Sequence, residues 1–173
     1  MPLTTNWPHV KKISKSKVNY VTVTFAPDLQ TRQAVLGLWQ RCQAVQDPKE
    51  QTTRLEQILV VAKSAPDHAV GVLTAHKVRY YDQVLSTDYE HFFFRMFSDP
   101  KCRVPMFATE IIKRGLTALR ALPPAQRPSQ VCWIAENIKS ASKRYVRRLE
   151  RSNYIRIEQI GMHSGSPVFR ATL

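Results

Sequence analysis

Phe92-Phe93-Phe94-Arg95-Met96-Phe97, then Ser98-Asp99-Pro100-Lys101-Cys102-Arg103-Val104-Pro105, then Met106-Phe107-Ala108 read in order as a strand, a turn and the start of a helix. The strand part is apolar on both faces, as expected of a strand in the middle of a sheet. The helix part continues with Ile111, Ile112, Gly115, Ala118, Leu119 and Leu122 at three- and four-residue spacing and stops before Pro123-Pro124. A turn that enters a helix this way aims free backbone N–H groups and the positive end of the helix dipole at one point, an arrangement suited to a phosphate or pyrophosphate. It does so here without the glycine that usually lets such a ligand approach the backbone. Lys101 and Arg103 stand where they would neutralise an anionic cofactor, with Arg95 and Lys113 in support.

Upstream, Val18-Asn19-Tyr20-Val21-Thr22-Val23-Thr24-Phe25 is β-branched and aromatic and reads as a first strand ended by Ala26-Pro27-Asp28. Asp28 caps a helix with Val35, Leu38, Trp39, Cys42 and Val45 on one face, expected to close at Asp47-Pro48. A hairpin is expected next, Gln57–Ala62 and Ala69–Ala75 flanking Ala65-Pro66-Asp67-His68, with residues 76–81 prolonging its second strand. The fourth strand runs from Tyr89 to Phe97. Downstream of the middle helix, Ser129–Ala135 reads as a buried strand paired in parallel with the fourth, because a crossover helix joins them. A helix from about Ile138 to Ser152 follows, with Ile138, Ala141, Tyr145 and Leu149 as its buried stripe and Asn153 as a left-handed terminus. Tyr154–Ile160 and Pro167–Leu173 form a terminal antiparallel pair. The fold class is α+β, a mixed sheet with flanking helices in the order β-α-β-β-β-α-β-α-β-β.

The 173 residues, 43% of them hydrophobic, suffice for one domain with a core, placed at residues 18–173 behind a lysine-rich arm at 1–17. No apolar run reaches the ~18 residues of a membrane span, and no apolar signal-peptide core appears, so a soluble, cytoplasmic protein without a membrane partner is expected. Cys42, Cys102 and Cys132 show no metal-ligand spacing, so free thiols and no metal are expected. With 26 basic against 13 acidic residues the net charge is +13, which favours a polyanionic partner, nucleic acid or an acidic protein surface. Lys139, Lys143, Arg147 and Arg151, four apart, form a row that with Lys11, Lys12, Lys15 and Lys17 makes a two-part clamp for phosphates.

The order of elements and the turn resemble the GNAT-type acyl-CoA N-acyltransferase superfamily over nearly all of residues 18–173. The family's turn carries Gln/Arg-x-x-Gly-x-Gly/Ala, whose amides hold the pyrophosphate of coenzyme A. Arg103-Val104-Pro105-Met106-Phe107-Ala108 keeps the first and last members and has Met106 in place of the central glycine. Asn137, after the fifth strand, and Asn153-Tyr154, in place of a Gly-Phe helix terminus, are further points of likeness. The resemblance implies acetyl-CoA as cofactor, contacted by Phe94, Arg95, Lys101, Arg103, Met106, Phe107, Ala108 and Asn137. It also implies a carboxylate or imidazole base at Glu90 or His91 and a proton donor at Tyr145, one turn away from the family's usual place. Two functions follow. One is a divergent acetyl-CoA-dependent N-acyltransferase with a strongly basic surface. The other is a catalytically inactive protein of the same fold, serving as a nucleic-acid-binding or nucleoprotein or virion assembly module, in the manner of stand-alone phage-encoded proteins.

Overall fold

The computed structural model describes residues 18–82, 87–102, 106–135 and 142–173, with side chains at 80–90 left aside. The lysine-rich arm, Arg103, Asn137 and Lys139 lie outside the described residues. The elements are β1 (Asn19–Thr22), α1 (Leu29–Cys42), α2 (Pro48–Leu55), β2 (Ile58–Ala65), β3 (His68–Asp82), β4 (Thr87–Ser98), α3 (Phe107–Arg120), β5 (Gln130–Ile134), α4 (Lys143–Asn153), β6 (Arg156–His163) and β7 (Ser166–Thr172). They build one seven-stranded sheet in the order β1-β2-β3-β4-β5-β7-β6, with β4 at its centre as the Phe92–Phe97 run implies. Only β4 and β5 run parallel; the other neighbours are antiparallel.

Most strand ends differ from the sequence reading by a few residues, and four boundaries differ for a local reason. The first strand ends at Thr22, because Thr24 and Phe25 take positive φ (44° and 67°), although Val23 and Phe25 still donate to Leu59 O and Ile58 O. The first helix closes at Cys42 on a left-handed Gln43, and Asp47-Pro48 opens a separate helix instead of ending this one. Asp47 accepts from Lys49 N at 3.0 Å, and Pro48 sits at the first helical position, where its missing N–H costs nothing. The fourth helix is described from Lys143, with Ser142 as its cap, and the left-handed residue at its end is Tyr154 (φ 52°), not Asn153. Asn153 stays helical and buried, its amide donating to Leu149 O at 2.8 Å.

The sheet separates two apolar layers. On one face α3 and α4 bring Ile111, Leu116, Leu119 and Leu149 onto Leu59, Leu73, Phe92, Phe94, Val131, Trp133 and Phe169. On the other, α1 packs Val35, Leu38 and Trp39 onto Ile58, Val61, Ala69 and Val72. Each such fully buried side chain contributes about 1.5–3 kcal/mol relative to an exposed one. Two glycines set how closely α3 approaches. A Cβ on Gly71 would lie 2.2 Å from Phe107 Cζ, and one on Gly115 would lie 2.4 Å from Leu73 Cδ2. Phe107, the first residue of α3, thus rests directly over the backbone of β3, with Tyr20 against it at 5.9 Å between ring centroids. The N-terminus of α3 is fixed to the sheet.

Candidate active site

The β4–β5 ladder is short: Phe92 pairs with Val131, Phe93 with Cys132 and Phe94 with Trp133, and among the described residues no pair follows. β4 continues to Ser98 beyond that point, and among the described residues β5, which ends at Ile134, does not accompany it. A cleft of about 880 Å³ opens there, lined on β4 by Phe93 to Ser98 and on β5 by Trp133 and Ile134. Its walls come from both layers. Leu73, Phe94, Ile112 and Trp133 belong to the α3 side, whereas Trp39, Thr74, His76, Phe93 and Arg95 belong to the α1 side. The cleft thus lies toward the carboxyl ends of the one parallel pair, the end at which open α/β sheets place ligands.

On the α3 side the turn after β4 is organised by Asp99. This buried residue donates its own N–H to Val70 O, and its carboxylate accepts from Lys101 N at 2.9 Å. Lys101 itself is exposed. Met106 occupies the N-cap of α3 at φ 64°, a conformation natural to glycine, and gives no side-chain cap. The first-turn amides, Phe107 and Ala108 among them, therefore receive no cap from the Met106 side chain. The Met106 thioether meets Arg148 Nη1 of α4 at 2.9 Å, which brings a guanidinium to the same helix end.

Tyr145, in the first turn of α4, has a buried hydroxyl that makes no hydrogen bond of full geometry among the described residues. Burial pushes its pKa up to about 12, opposed by the Thr109 side chain in the first turn of α3. The hydroxyl is thus protonated at neutral pH and placed against the N-terminal turn of α3.

Of the two candidate bases, Glu90 sits in β4 in register with Arg79. His91 is half-buried, and desolvation together with Arg170 on β7 lowers its pKa. His91 does not border the cleft among its described walls, and the side chain of Glu90 lies outside the described residues. Phe94 and Arg95 do border it, Arg95 on the α1 side instead of at the α3 N-terminus. The sequence reading passed over His76, Arg54 of α2 and His163 of β6, which the structure gathers at this cleft. Nothing local in the sequence marks them, since only the β3–β4 register, Thr74 opposite Arg95 and His76 opposite Phe93, brings the first of them beside Arg95. Among the described residues no cluster of His, Cys, Asp or Glu suited to a metal is found, and no helix is long and apolar enough to cross a membrane.

No family model and no curated relative matches the sequence. Solved structures do match over most of the chain. YncA of Salmonella typhimurium, a protein described as a putative acetyltransferase and crystallised with acetyl-CoA, is 11% identical over 91% of this chain and 93% of that one, with a TM-score of 0.56. NAA60 of Arabidopsis thaliana, also in complex with acetyl-CoA, is 14% identical over 90% and 99%, with a TM-score of 0.55. An acetyltransferase of the GNAT family from Streptococcus pneumoniae is 5% identical over 90% and 99%, with a TM-score of 0.54. At these identities what is shared is the path of the chain: this protein has the fold of the GNAT acetyltransferases.

Proposed function

We propose that the protein is an acyl-CoA-dependent N-acyltransferase. The observation that carries this reading is the end of β4–β5 pairing after the Phe94–Trp133 pair, beside a cleft lined from both sides of the sheet. An acyl thioester held on the α3 side would there face an amine entering from the α1 side. The donor class is taken from the structural neighbours that hold acetyl-CoA. The residues present suit such a group: amides at the start of α3 that the Met106 side chain does not cap, cationic Lys101 and Arg148 nearby, and an unpaired buried hydroxyl on Tyr145. When bound, the thioester supplies an activated acyl carbon. The chain would supply placement of the pyrophosphate on the α3 amides, screening of its charge by Lys101 and Arg148, and a proton held on Tyr145 Oη for the departing sulfur.

Calorimetric titration with acetyl-CoA, with ATP as a control for plain charge attraction, tests this at about 0.15 M salt, where exposed charges are screened over roughly 8 Å. Micromolar binding of acetyl-CoA, about 8 kcal/mol, with ATP at least tenfold weaker is expected. Equal weak binding of both would overturn the reading.

A second reading is favoured by one feature of α4. Lys143, Arg144, Arg147, Arg148 and Arg151 line an open surface on this helix, and among the described residues none of them pairs with a carboxylate. Glu150, the acidic residue of the helix, is turned to Ile157 N at 3.0 Å. With the net charge of +13, such a face suits the phosphates of nucleic acid, whether as an accessory to acyl transfer or as the function of a catalytically inactive protein. Joint Arg147→Ala and Arg151→Ala substitution should weaken nucleic-acid binding and flatten its salt dependence by about two phosphate contacts. An unchanged slope would remove α4 from any such interaction.

A further inference from the structure

Resting on the acyl-transfer reading, we infer that the α1 side of the cleft is an oxyanion site, and that the acceptor is an amine carrying a phosphate or carboxylate group which Arg95 and Arg54 receive beside His76.

Three observations converge. The cleft is lined by Arg54, Arg95, His76 and His163, and among the described residues no carboxylate lines it. The two arginines differ in state. Arg54 is tied to Glu50 at 2.5 Å within α2, yet its Nε is buried without a hydrogen-bond partner among the described residues. Arg95 is exposed and forms no ion pair among the described residues; its backbone O alone accepts, from Thr74 Oγ1 at 3.3 Å. An oxyanion between them would meet planar N–H donors, the geometry in which guanidinium binds carboxylate and phosphate by paired hydrogen bonds.

His76 reports on the same charge. Its Nδ1 is buried and without a hydrogen-bond partner among the described residues, and the ring lies against Phe93 with centroids 5.6 Å apart. Burial, then Arg95, Arg54 and His91, hold its pKa below the ordinary value, while the Phe93 backbone acts the other way. Burial first, and the cationic neighbours after it, thus disfavour the protonated ring. By linkage an anion placed there must favour the protonated ring, so binding of the anion and uptake of a proton by His76 strengthen each other. Arg95 is also the first β4 residue past the last β4–β5 pair, which puts the anion and the attached amine where that pairing ends.

The test follows the His76 ring by NMR titration between pH 5 and 8 in the intact protein. Sulfate serves as the tetrahedral probe, because its charge does not change over that range, acetate as the carboxylate probe, and chloride at equal ionic strength as the control. Sulfate or acetate should raise the His76 midpoint and saturate, and the stronger of the two identifies the anion class. Arg95→Gln should raise the midpoint without any probe and weaken probe binding at least fivefold. A midpoint unmoved by either probe, or moved equally by chloride, would overturn the site, as would an Arg95→Gln protein that responds like the wild type. The acetyl-CoA titration is separate: if it fails while His76 still responds, the acyl-transfer reading falls and an anion site remains, and the reverse result removes the anion site alone.

Discussion

Phe92 and Phe94 of β4 point into the layer beneath α3 and are 4% exposed each, whereas His91, Phe93 and Arg95, alternating with them, face the side where α1 covers only the β2–β3 half of the sheet. The same strand therefore presents a closed face and an open one. On the closed face the side chains are apolar and interlocked, and Gly71 and Gly115 let α3 lie close. On the open face the residues are aromatic, cationic or imidazole, and Phe93 and Arg95 among them border a cleft. The difference teaches that stability and the proposed chemistry are divided between alternate residues of one strand, so substitutions two positions apart should behave alike and substitutions one apart should not.

The largest effect should come from truncating the closed face. Phe94→Ala should cost about 3–5 kcal/mol in urea unfolding, the range for deleting a buried aromatic side chain. Phe93→Ala, half-buried, should cost about 1–2 kcal/mol, by the smaller apolar area it removes from water. Equal losses would mean that the open face is a core, and the contrast between the faces would break.

Gly71→Ala comes next. The added methyl group would meet the Phe107 ring, so the start of α3 must shift, at a cost of about 1–3 kcal/mol for overpacking. Because the shift displaces the first-turn amides, acetyl-CoA affinity should fall together with stability. A stability loss with unchanged affinity would show that the α3 N-terminus is not the cofactor contact.

These residues also show how far sequence can be read. The Phe92–Phe97 run identified the central strand because burial on both faces leaves an unbroken apolar stretch, and the turn into α3 followed from the helical spacing after Phe107. α2 was missed because PKEQTTRL buries only Leu55, so it carries no apolar periodicity, and because Asp-Pro marks a helix start as well as a stop. Asn153 was placed one residue early, since a buried asparagine bonded to Leu149 O resembles a left-handed terminus in sequence. Phe94 and Arg95 were picked out for the site and do line the cleft, but the company they keep on its α1 side was not legible. His76 and Arg95 are nineteen positions apart and Arg54 is farther still, and only strand register and helix packing unite them.

A smaller effect is expected at the glycine-like position. Met106 at φ 64° bears about 1–2 kcal/mol of left-handed strain, and a glycine there removes it while losing about 0.5–1 kcal/mol through its freer unfolded chain. Met106→Gly should therefore change stability by less than about 1 kcal/mol. It should also clear the approach to the α3 amides and tighten acetyl-CoA several-fold by calorimetry, at the cost of the Arg148 contact. Unchanged or weaker binding would show that the thioether does not obstruct that approach.

The smallest effect lies on the open face and depends on pH. Desolvation and neighbouring guanidinium groups lower the folded-state pKa of both His76 and His91. A group whose pKa is lower folded than unfolded binds fewer protons in the native state at intermediate pH, so stability is fully present above the unfolded value of about 6.5 and declines as pH falls toward the folded values. Asp28 and Glu158, whose pKa values are lowered by the Thr31 cap and by Arg170 respectively, lose their stabilisation only at lower pH, below the usual carboxylate range. The two windows are thus separable. Urea midpoints measured from pH 7.5 to 5 should drop in the wild type, and joint substitution His76→Gln and His91→Gln should flatten that drop while leaving the carboxylate limb below pH 4 in place. A wild-type midpoint that stays level between pH 7 and 5 would mean that the imidazoles are solvated, and that the open face is not the desolvated, positively charged surface its residues describe.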